Sequence, residues 1–341
     1  MKSDLEATQF SYLTADIGGT NVRFGVVNGA PRQGGRPTII EQKIYPCAAF
    51  DSIDVAMETY RDHIGVPLPE IACVAVAGPV KNNIVRMTNR DWLISGTELT
   101  SRFGFEQVVI LNDAAAIAYA TRVISDGELK TIKPGVALDE APAAVITAGT
   151  GVGVSAIVPF GDNWYPLPSE AGHVTLAPQT PTEVALFNTI KNETQGAISA
   201  EMLLSGSGIR RLYFALAAVR GSIANDSITP EEITRQALDG ADKLCRETME
   251  IYSNLLGAFA GDMALTFGAR GGMYLAGNVL RQVEPVISGS EQFRESFENK
   301  GAMVQYLSEI PVNMITLDEP GLVGASAWFD HSVSAPSRVN Q

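Results

Sequence analysis

The sequence predicts an α/β protein built from two related halves. Short apolar, β-branched runs alternate with amphipathic helical patterns along the chain. A strand, a Gly/Thr turn and a second strand occur together twice, in "TADIGGTNVRFGVV" and in "AAVITAGTGVGVSAIV". With 341 residues, 45% of them hydrophobic, the chain is long enough for two domains.

The elements follow in order. Residues 11–45 read as strand, glycine turn, strand, loop ("NGAPRQGGRP") and strand. "FDSIDVAMETYRDHIG" has helical spacing at Ile53, Met57 and Tyr60 and a stop at Gly65. "IACVAVAGPV" is a buried strand ending at Gly78-Pro79, and "QVVILNDAAAIAYATRVI" is a strand running into an alanine-rich helix at Asn112-Asp113. A domain border is expected near that helix. In "TPEEITRQALDG", Thr229 is a helix N-cap, Pro230 the first helical residue, Glu232 the closing acid of a capping box and Gly240 the stop. A long helix should follow to about Phe267, and "GGMYLAGNVLRQ" reads as strand, Gly-Asn turn and helix.

Charge and cysteine content exclude several classes. A formal net charge of −13 makes a poor binder of nucleic acid or anionic membranes, which need clustered Lys and Arg. Cys47, Cys73 and Cys245 form no C-x-x-C, so neither a zinc knuckle nor a disulfide framework is expected. Free thiols point to a reducing cytoplasm. "MKSDLEATQF" has acids where a signal peptide needs an apolar core, and the longest uncharged run is broken by Gly and Pro, as in soluble strands.

Several segments could carry chemistry. In Asp16-Ile17-Gly18-Gly19-Thr20 the glycines offer bare N–H groups and close approach, Thr20 a hydroxyl, and Asp16 a ligand for magnesium, directly or through water. The same stretch also suits an ordinary hairpin turn. Gly149-Thr150-Gly151 resembles half a dinucleotide fingerprint, but a strand follows where that motif needs a helix. "SGSGIRRL" opens a helix but lacks the third glycine, and no G-x-x-x-x-G-K-[ST] exists. Two such turns could instead grip a polyphosphate, or be plain turns. Asn112-Asp113 suits a helix cap, a carboxylate that orients and deprotonates a hydroxyl, or both. Glu170 and His173 share "PLPSEAGHV", where Pro166, Pro168 and Gly172 argue for a loop rather than a metal-binding helix; a polyol would find fixed partners there. Glu201 falls near the start of a short helix that Ser199 could cap, a place that also favours an acid for the dipole alone. His63 and His331 look like surface residues. No Ser-His-Asp or Cys-His constellation emerges.

Taken together, eight segments resemble the bacterial glucokinase family of the sugar kinase/heat-shock-protein-70/actin superfamily. They are "ADIGGTNVRFGVV", "VAVAGPVKNNIVRMTNRDWLIS", "LNDAAAIA", "AGTGVGV", "PLPSEAGHVTLAP", "ISAEMLLSGSG", "GGMYLAGNVL" and "EPGLVGASA", in the family's order from about residue 12 to 328. The resemblance implies two ribonuclease-H-like (actin-like ATPase) α/β domains flanking a cleft, each with a mixed five-stranded sheet. The small domain would span 1–122, joined by a C-terminal helix at about 320–341, and the large one 123–319. It implies ATP-dependent phosphorylation of D-glucose at the 6-hydroxyl, the first step of glycolysis. Ala15, Asp16, Ile17, Gly18, Gly19 and Thr20 match the first phosphate loop, with Asp16 near Mg2+; Gly149, Thr150 and Gly151 match the second. Gly277 matches the turn over the adenosine. Asn89, Asn112, Asp113, Glu170, His173 and Glu201 match the sugar-binding set, and Asp113 the base on the 6-hydroxyl.

The resemblance further implies a cytoplasmic homodimer that engages neither nucleic acid nor membrane. Gly277-Asn278 stands where many relatives have Gly-Gly. The related repressor/open-reading-frame/kinase group carries a zinc motif after its sugar-binding histidine; here no cysteine follows His173 until Cys245, as in the zinc-free branch. A kinase for mannose or fructose would use the same fold and base. A sugar sensor without turnover is expected to add a helix-turn-helix, for which the ten residues before Ser11 leave no room. An actin-like filament or chaperone ATPase would not need the sugar-contact segments.

Overall fold

The structure, a computed structural model, describes residues 11–29, 34–87 and 90–334. Asn89 lies outside the described residues. The chain begins with β1 (Ser11–Ile17), β2 (Asn21–Asn28), β3 (Ile39–Pro46), α1 (Ile53–Ile64) and β4 (Ile71–Val76). Next come β5 (Ile84–Arg86), β6 (Leu93–Ser95), α2 (Gly96–Phe103), β7 (Gln107–Asn112) and α3 (Asp113–Ala120). The middle of the chain holds β8 (Leu129–Lys133), β9 (Ala143–Ala148), β10 (Val152–Phe160), β11 (Asn163–Ser169) and α4 (Pro181–Glu193). It continues with α5 (Ala200–Leu204), α6 (Gly206–Arg220), α7 (Pro230–Leu238), α8 (Lys243–Phe267), β12 (Met273–Ala276) and α9 (Asn278–Ile287). Last come α10 (Glu291–Glu298), α11 (Val304–Ser308), β13 (Val312–Ile315) and α12 (Pro320–Ser334). Two compact units result: Met1–Asp126 with Leu317–Gln341, and Gly127–Thr316.

The first unit is built on a sheet of order β3-β2-β1-β4-β7. β1 runs antiparallel to β2 and parallel to β4, which is parallel to β7. Strand alternation gives the sheet two buried faces. Leu13, Ala15 and Ile17 pack with Met57 and Tyr60 of α1 and Leu99 of α2. Tyr12 faces the other way, against Ala116 of α3 and Ala325 and Phe329 of α12. The small two-stranded β5-β6 ribbon lies outside this sheet. α1 starts and stops where its sequence says: Ser52 accepts a hydrogen bond from Val55 N–H, and Gly65 caps the end.

α12 is tied to β1 by polar groups. The Tyr12 hydroxyl lies 2.8 Å from Asp330 Oδ1 and 2.9 Å from Ser326 O. Ser326 Oγ lies 3.0 Å from Thr14 Oγ1 and 2.8 Å from Leu322 O. His331 is not the surface residue expected. It is 7% exposed, its ring 5.9 Å from that of Tyr119, because it falls on the face of α12 that packs on α3.

The second unit repeats the plan, with one addition. Its sheet has the order β11-β10-β9-β12-β13-β8. β9 is antiparallel to β10 and parallel to β12, as β1 is to β2 and β4. The five-stranded expectation fails here, since β8 adds a sixth strand antiparallel to β13. β8, "LKTIK", is too polar to be read as a strand. Its Lys133 is nevertheless buried, the ammonium donating to Ser308 O and Ile310 O, both at 2.9 Å, and pairing with Glu298. The core centres on α8, whose Leu255, Leu256 and Phe259 pack in one cluster with Phe293 and Phe297 of α10.

Two local expectations also change. Pro166 and Pro168 belong to β11, an edge strand where a missing N–H costs no ladder bond, and not to a loop. Thr229 caps α7 as expected, accepting from Glu232 N–H at 3.2 Å, but the Glu232 carboxylate turns to Arg235 and Gln236 instead of closing the box. The complete capping box is on α4, between Thr180 and Glu183.

Tyr12→Phe removes a donor from the buried Asp330 carboxylate. It should cost about 1–3 kcal/mol of stability, seen as a lower midpoint in chemical denaturation; an unchanged midpoint would show that the β1–α12 tie contributes nothing.

Candidate active site

In the first unit the site residues collect at the carboxyl edge of the parallel strands. Gly18–Thr20 joins β1 to β2, closed by Gly18 N–H donating to Asn21 O at 3.0 Å. Its carbonyls are held from outside. Cys47 N–H donates to Thr20 O at 2.8 Å, and Arg90 Nε donates to Gly19 O at 3.4 Å. Ile17 O accepts from Ala77 N–H at 3.0 Å, just past β4. Gly78 O then accepts from Asn112 Nδ2 at 3.1 Å, at the end of β7. The ends of β1, β4 and β7 are therefore laced together, the edge where ligands bind in α/β sheets.

Asn112 and Asp113 divide their work at the turn into α3. Asn112 Oδ1 accepts from Ala115 N–H at 3.0 Å, so both ends of its amide hold backbone. This fixes the turn and leaves Asp113 as the first helical residue, half-buried, with Oδ1 accepting from Ala114 N–H at 2.8 Å. The positive end of the helix dipole favours the ionised carboxylate there.

Asp16 is 9% exposed and faces α12. Burial pushes its carboxyl above the usual range, and the Arg23 guanidinium, 3.6 Å away, works against that rise. The start of α12 comes close: a Cβ at Gly321 would sit 2.7 Å from the Asp16 carboxylate. A buried acid with one loosely placed cation fits a magnesium ion, which binds through one or two carboxylates and completes its shell with phosphate and water.

In the second unit the corresponding turn, Gly149–Gly151, is closed by Gly149 N–H donating to Gly151 O at 2.9 Å, with Thr150 exposed. Gly149 O accepts from Gly206 N–H at 3.1 Å, at the start of α6. Gly277, at φ 96°, opens α9, and its backbone lies so close to Ala148 O that a Cβ would be 2.4 Å away. Two helix starts thus converge on one turn, an arrangement that suits anions.

The remaining residues meet on the backbone of Val152. Glu201, in α5 behind its Ser199 cap, accepts from Val152 N–H at 2.9 Å through Oε2. On the other side Gly172 lies against Val152 O, where a Cβ would be only 1.9 Å away. Gly172 is central to the single 3-10 turn Ala171–His173, which follows β11. Glu170 and His173 flank it, exposed and without a side-chain hydrogen bond or ion pair among the described residues. Their polar atoms are open to a ligand.

Gly172, Gly206, Arg23 and Arg90 were not among the expected site residues. The helix-opening Gly-Ser-Gly of "SGSGIRRL" was a signal for Gly206. Arg90 reaches Gly19 and Arg23 reaches Glu319 from far along the chain, while Arg23 also meets Asp16, its partner across the β1–β2 pair.

Two α/β units of one strand order, each with a Gly/Thr turn after its first parallel strand, make the actin-like ATPase architecture found in sugar kinases. The comparisons narrow that class. The family model for glucokinase matches residues 13–332. A glucokinase of Saccharophagus degradans is 40% identical over 321 residues, covering 94% of this chain and 98% of that protein. A glucokinase of Cupriavidus pinatubonensis is 38% identical over 331 residues, covering 96% and 94%. Among solved structures, a glucokinase from an Antarctic psychrotroph superposes with a TM-score of 0.81 at 35% identity, over 93% of this chain and 98% of that one. A glucokinase from Balamuthia mandrillaris in complex with glucose has the same fold, with a TM-score of 0.80 at 21% identity, over 96% and 95%. The chain belongs to the glucokinase family and is an enzyme of that family.

A methyl group at Gly172 must push the Glu170–His173 turn off Val152. Gly172→Ala should lower kcat/KM for the sugar by about 10²-fold, the scale of an ångström of misplacement, with circular dichroism unchanged; wild-type kinetics would show that the turn does not place these groups.

Asp16 gives a pH test. Its raised pKa means that the folded state favours the protonated acid. That contribution is complete below the unfolded pKa of about 3.9 and lost as pH rises through the folded value. With EDTA present, the Tm of Asp16→Asn should rise relative to wild type as pH goes from about 4 to 7. A difference that stays flat across this range contradicts the assignment.

Proposed function

We propose that the chain transfers the γ-phosphoryl group of ATP to the 6-hydroxyl of glucose, with Asp113 as the base. Phosphorylation of glucose is the family's chemistry. The observation that carries the assignment is the placement of Asp113: a half-buried carboxylate at the first position of α3, braced by Asn112, on the same sheet edge as the Gly18–Thr20 turn. Phosphoryl transfer demands little beyond in-line positioning and charge neutralisation. Asp113 accepts the proton of the attacking hydroxyl. Backbone N–H groups of the Gly18–Thr20 and Gly149–Gly151 turns, other than those of Gly18 and Gly149 that close the turns, hold phosphate oxygens; Ala15, Asp16 and Ile17, inside the β1 ladder, carry the first turn, and Gly277 lets the adenosine approach α9. Magnesium, when bound near Asp16, neutralises charge on the phosphates.

Asn89, Asn112, Glu170, His173 and Glu201 hold the sugar hydroxyls. The free side chains of Glu170 and His173 support this reading, since a polyol needs acceptors and donors not already spent. Asn112 and Glu201 bind with what their backbone bonds leave: the second amide N–H of Asn112 and Oε1 of Glu201. The enzyme works as a cytoplasmic homodimer. Three buried free thiols suit a reducing compartment, and among the described residues no helix is long and apolar enough to cross a membrane.

Asp113→Asn should lower kcat by about 10²–10⁴-fold in a coupled ADP-release assay with glucose, while calorimetry shows glucose still binding. Near-normal turnover would remove Asp113 from the role of base.

A further inference from the structure

The Glu319-Pro320-Gly321 run at the start of α12 has no part in the reaction as proposed. Glu319 has a left-handed backbone, φ 55°, uncommon for a residue with a Cβ and kept only where contacts enforce it. Its carboxylate pairs with Arg23 Nε. The same guanidinium reaches Asp16 with its other end, Nη1 to Oδ2, at 3.6 Å. The three side chains are 18% (Arg23), 13% (Asp16) and 22% (Glu319) exposed.

One guanidinium between two carboxylates leaves one negative charge uncompensated. Among the described residues no other ion pair reaches either acid. Arg23 and Asp16 are also farther apart than a charge-assisted hydrogen bond, about 2.7–2.9 Å. A guanidinium released from Glu319 could close on Asp16 in a bidentate pair and occupy both of its oxygens. Those oxygens are what a divalent cation needs.

We propose that Glu319 is a positioning residue: by holding Arg23 it keeps the Asp16 carboxylate open to magnesium. The inference rests on Asp16 as the magnesium residue. The strained backbone of Glu319 and the bare Gly321 beside Asp16 bring this anchor to the site without placing another side chain in it.

Mn2+ serves as the probe, its free concentration read by electron paramagnetic resonance, with a non-hydrolysable ATP analogue and glucose present. Glu319→Gln should weaken Mn2+ binding by about 10–100-fold and leave glucose affinity unchanged. Adding Arg23→Gln to it removes the competitor and should restore affinity to near the wild-type value, a rescue that a merely structural role of Glu319 does not produce. Wild-type Mn2+ affinity in Glu319→Gln, or no recovery in the double variant, overturns the proposal. Asp16→Asn separates the two readings. Loss of Mn2+ binding there beside an unchanged Glu319→Gln rejects the role of Glu319 alone, whereas undiminished binding in Asp16→Asn rejects Asp16 as the magnesium residue. Should Glu319→Gln fail to fold, Arg23→Gln alone still decides: affinity at or above wild type supports the proposal, and a fall overturns it.

Discussion

Alternate residues of one strand, Tyr12, Thr14 and Asp16, face the last helix of the chain, and the first unit depends on that contact. Tyr12 meets Asp330 and Ser326, Thr14 meets Ser326 and Leu322, and Asp16 meets the backbone of Gly321. The first two are hydrogen-bonded within a buried interface. Each such bond is worth only about 0.5–1.5 kcal/mol net, but leaving one unmade costs more. The polar groups therefore fix the register of α12 on β1 more sharply than apolar packing alone would. The last of the three is the acid assigned to magnesium, so the helix that completes the sheet's second face also sets the surroundings of that acid.

The second unit solves a related problem on the backbone of a single residue. Val152 follows the Gly149–Gly151 turn directly. Its N–H is taken by Glu201 and its carbonyl faces Gly172. Residues assigned to the sugar thus rest on the residue next to the turn assigned to phosphate. Displacing Gly172 moves Val152, because no side chain intervenes between their backbones to absorb the shift, whereas Glu201 reaches Val152 through its carboxylate. Gly206 and Gly277 bring two helix starts to the same turn by the same means, a backbone left bare enough for another backbone to touch.

The sequence was most legible where local chemistry decides. Gly65 stops α1, Asn112 caps α3, and Gly277 separates β12 from α9, all as read. It was least legible where a distant partner decides. β8 is a strand because β13 offers an edge, although "LKTIK" is polar and its lysine goes to carbonyls around α11. Pro166 and Pro168 lie in a strand because that strand is an edge. Glu232 has a sequence suited to a capping box but finds Arg235 and Gln236 one turn on. His331 is buried because α12 crosses back onto α3.

From residue order alone follow the α/β class, the doubled Gly/Thr turn, the family and the residues assigned to phosphate, sugar and proton. These rest on features carried within a few neighbouring residues: alternation, helix caps and glycines. Only the tertiary structure decided that Glu319 reaches Arg23, that Glu201 binds Val152 N–H, and that five strands of the second sheet repeat the first while a sixth is added. Such contacts join residues tens to hundreds of positions apart, and their geometry is set by how helices settle on a finished sheet.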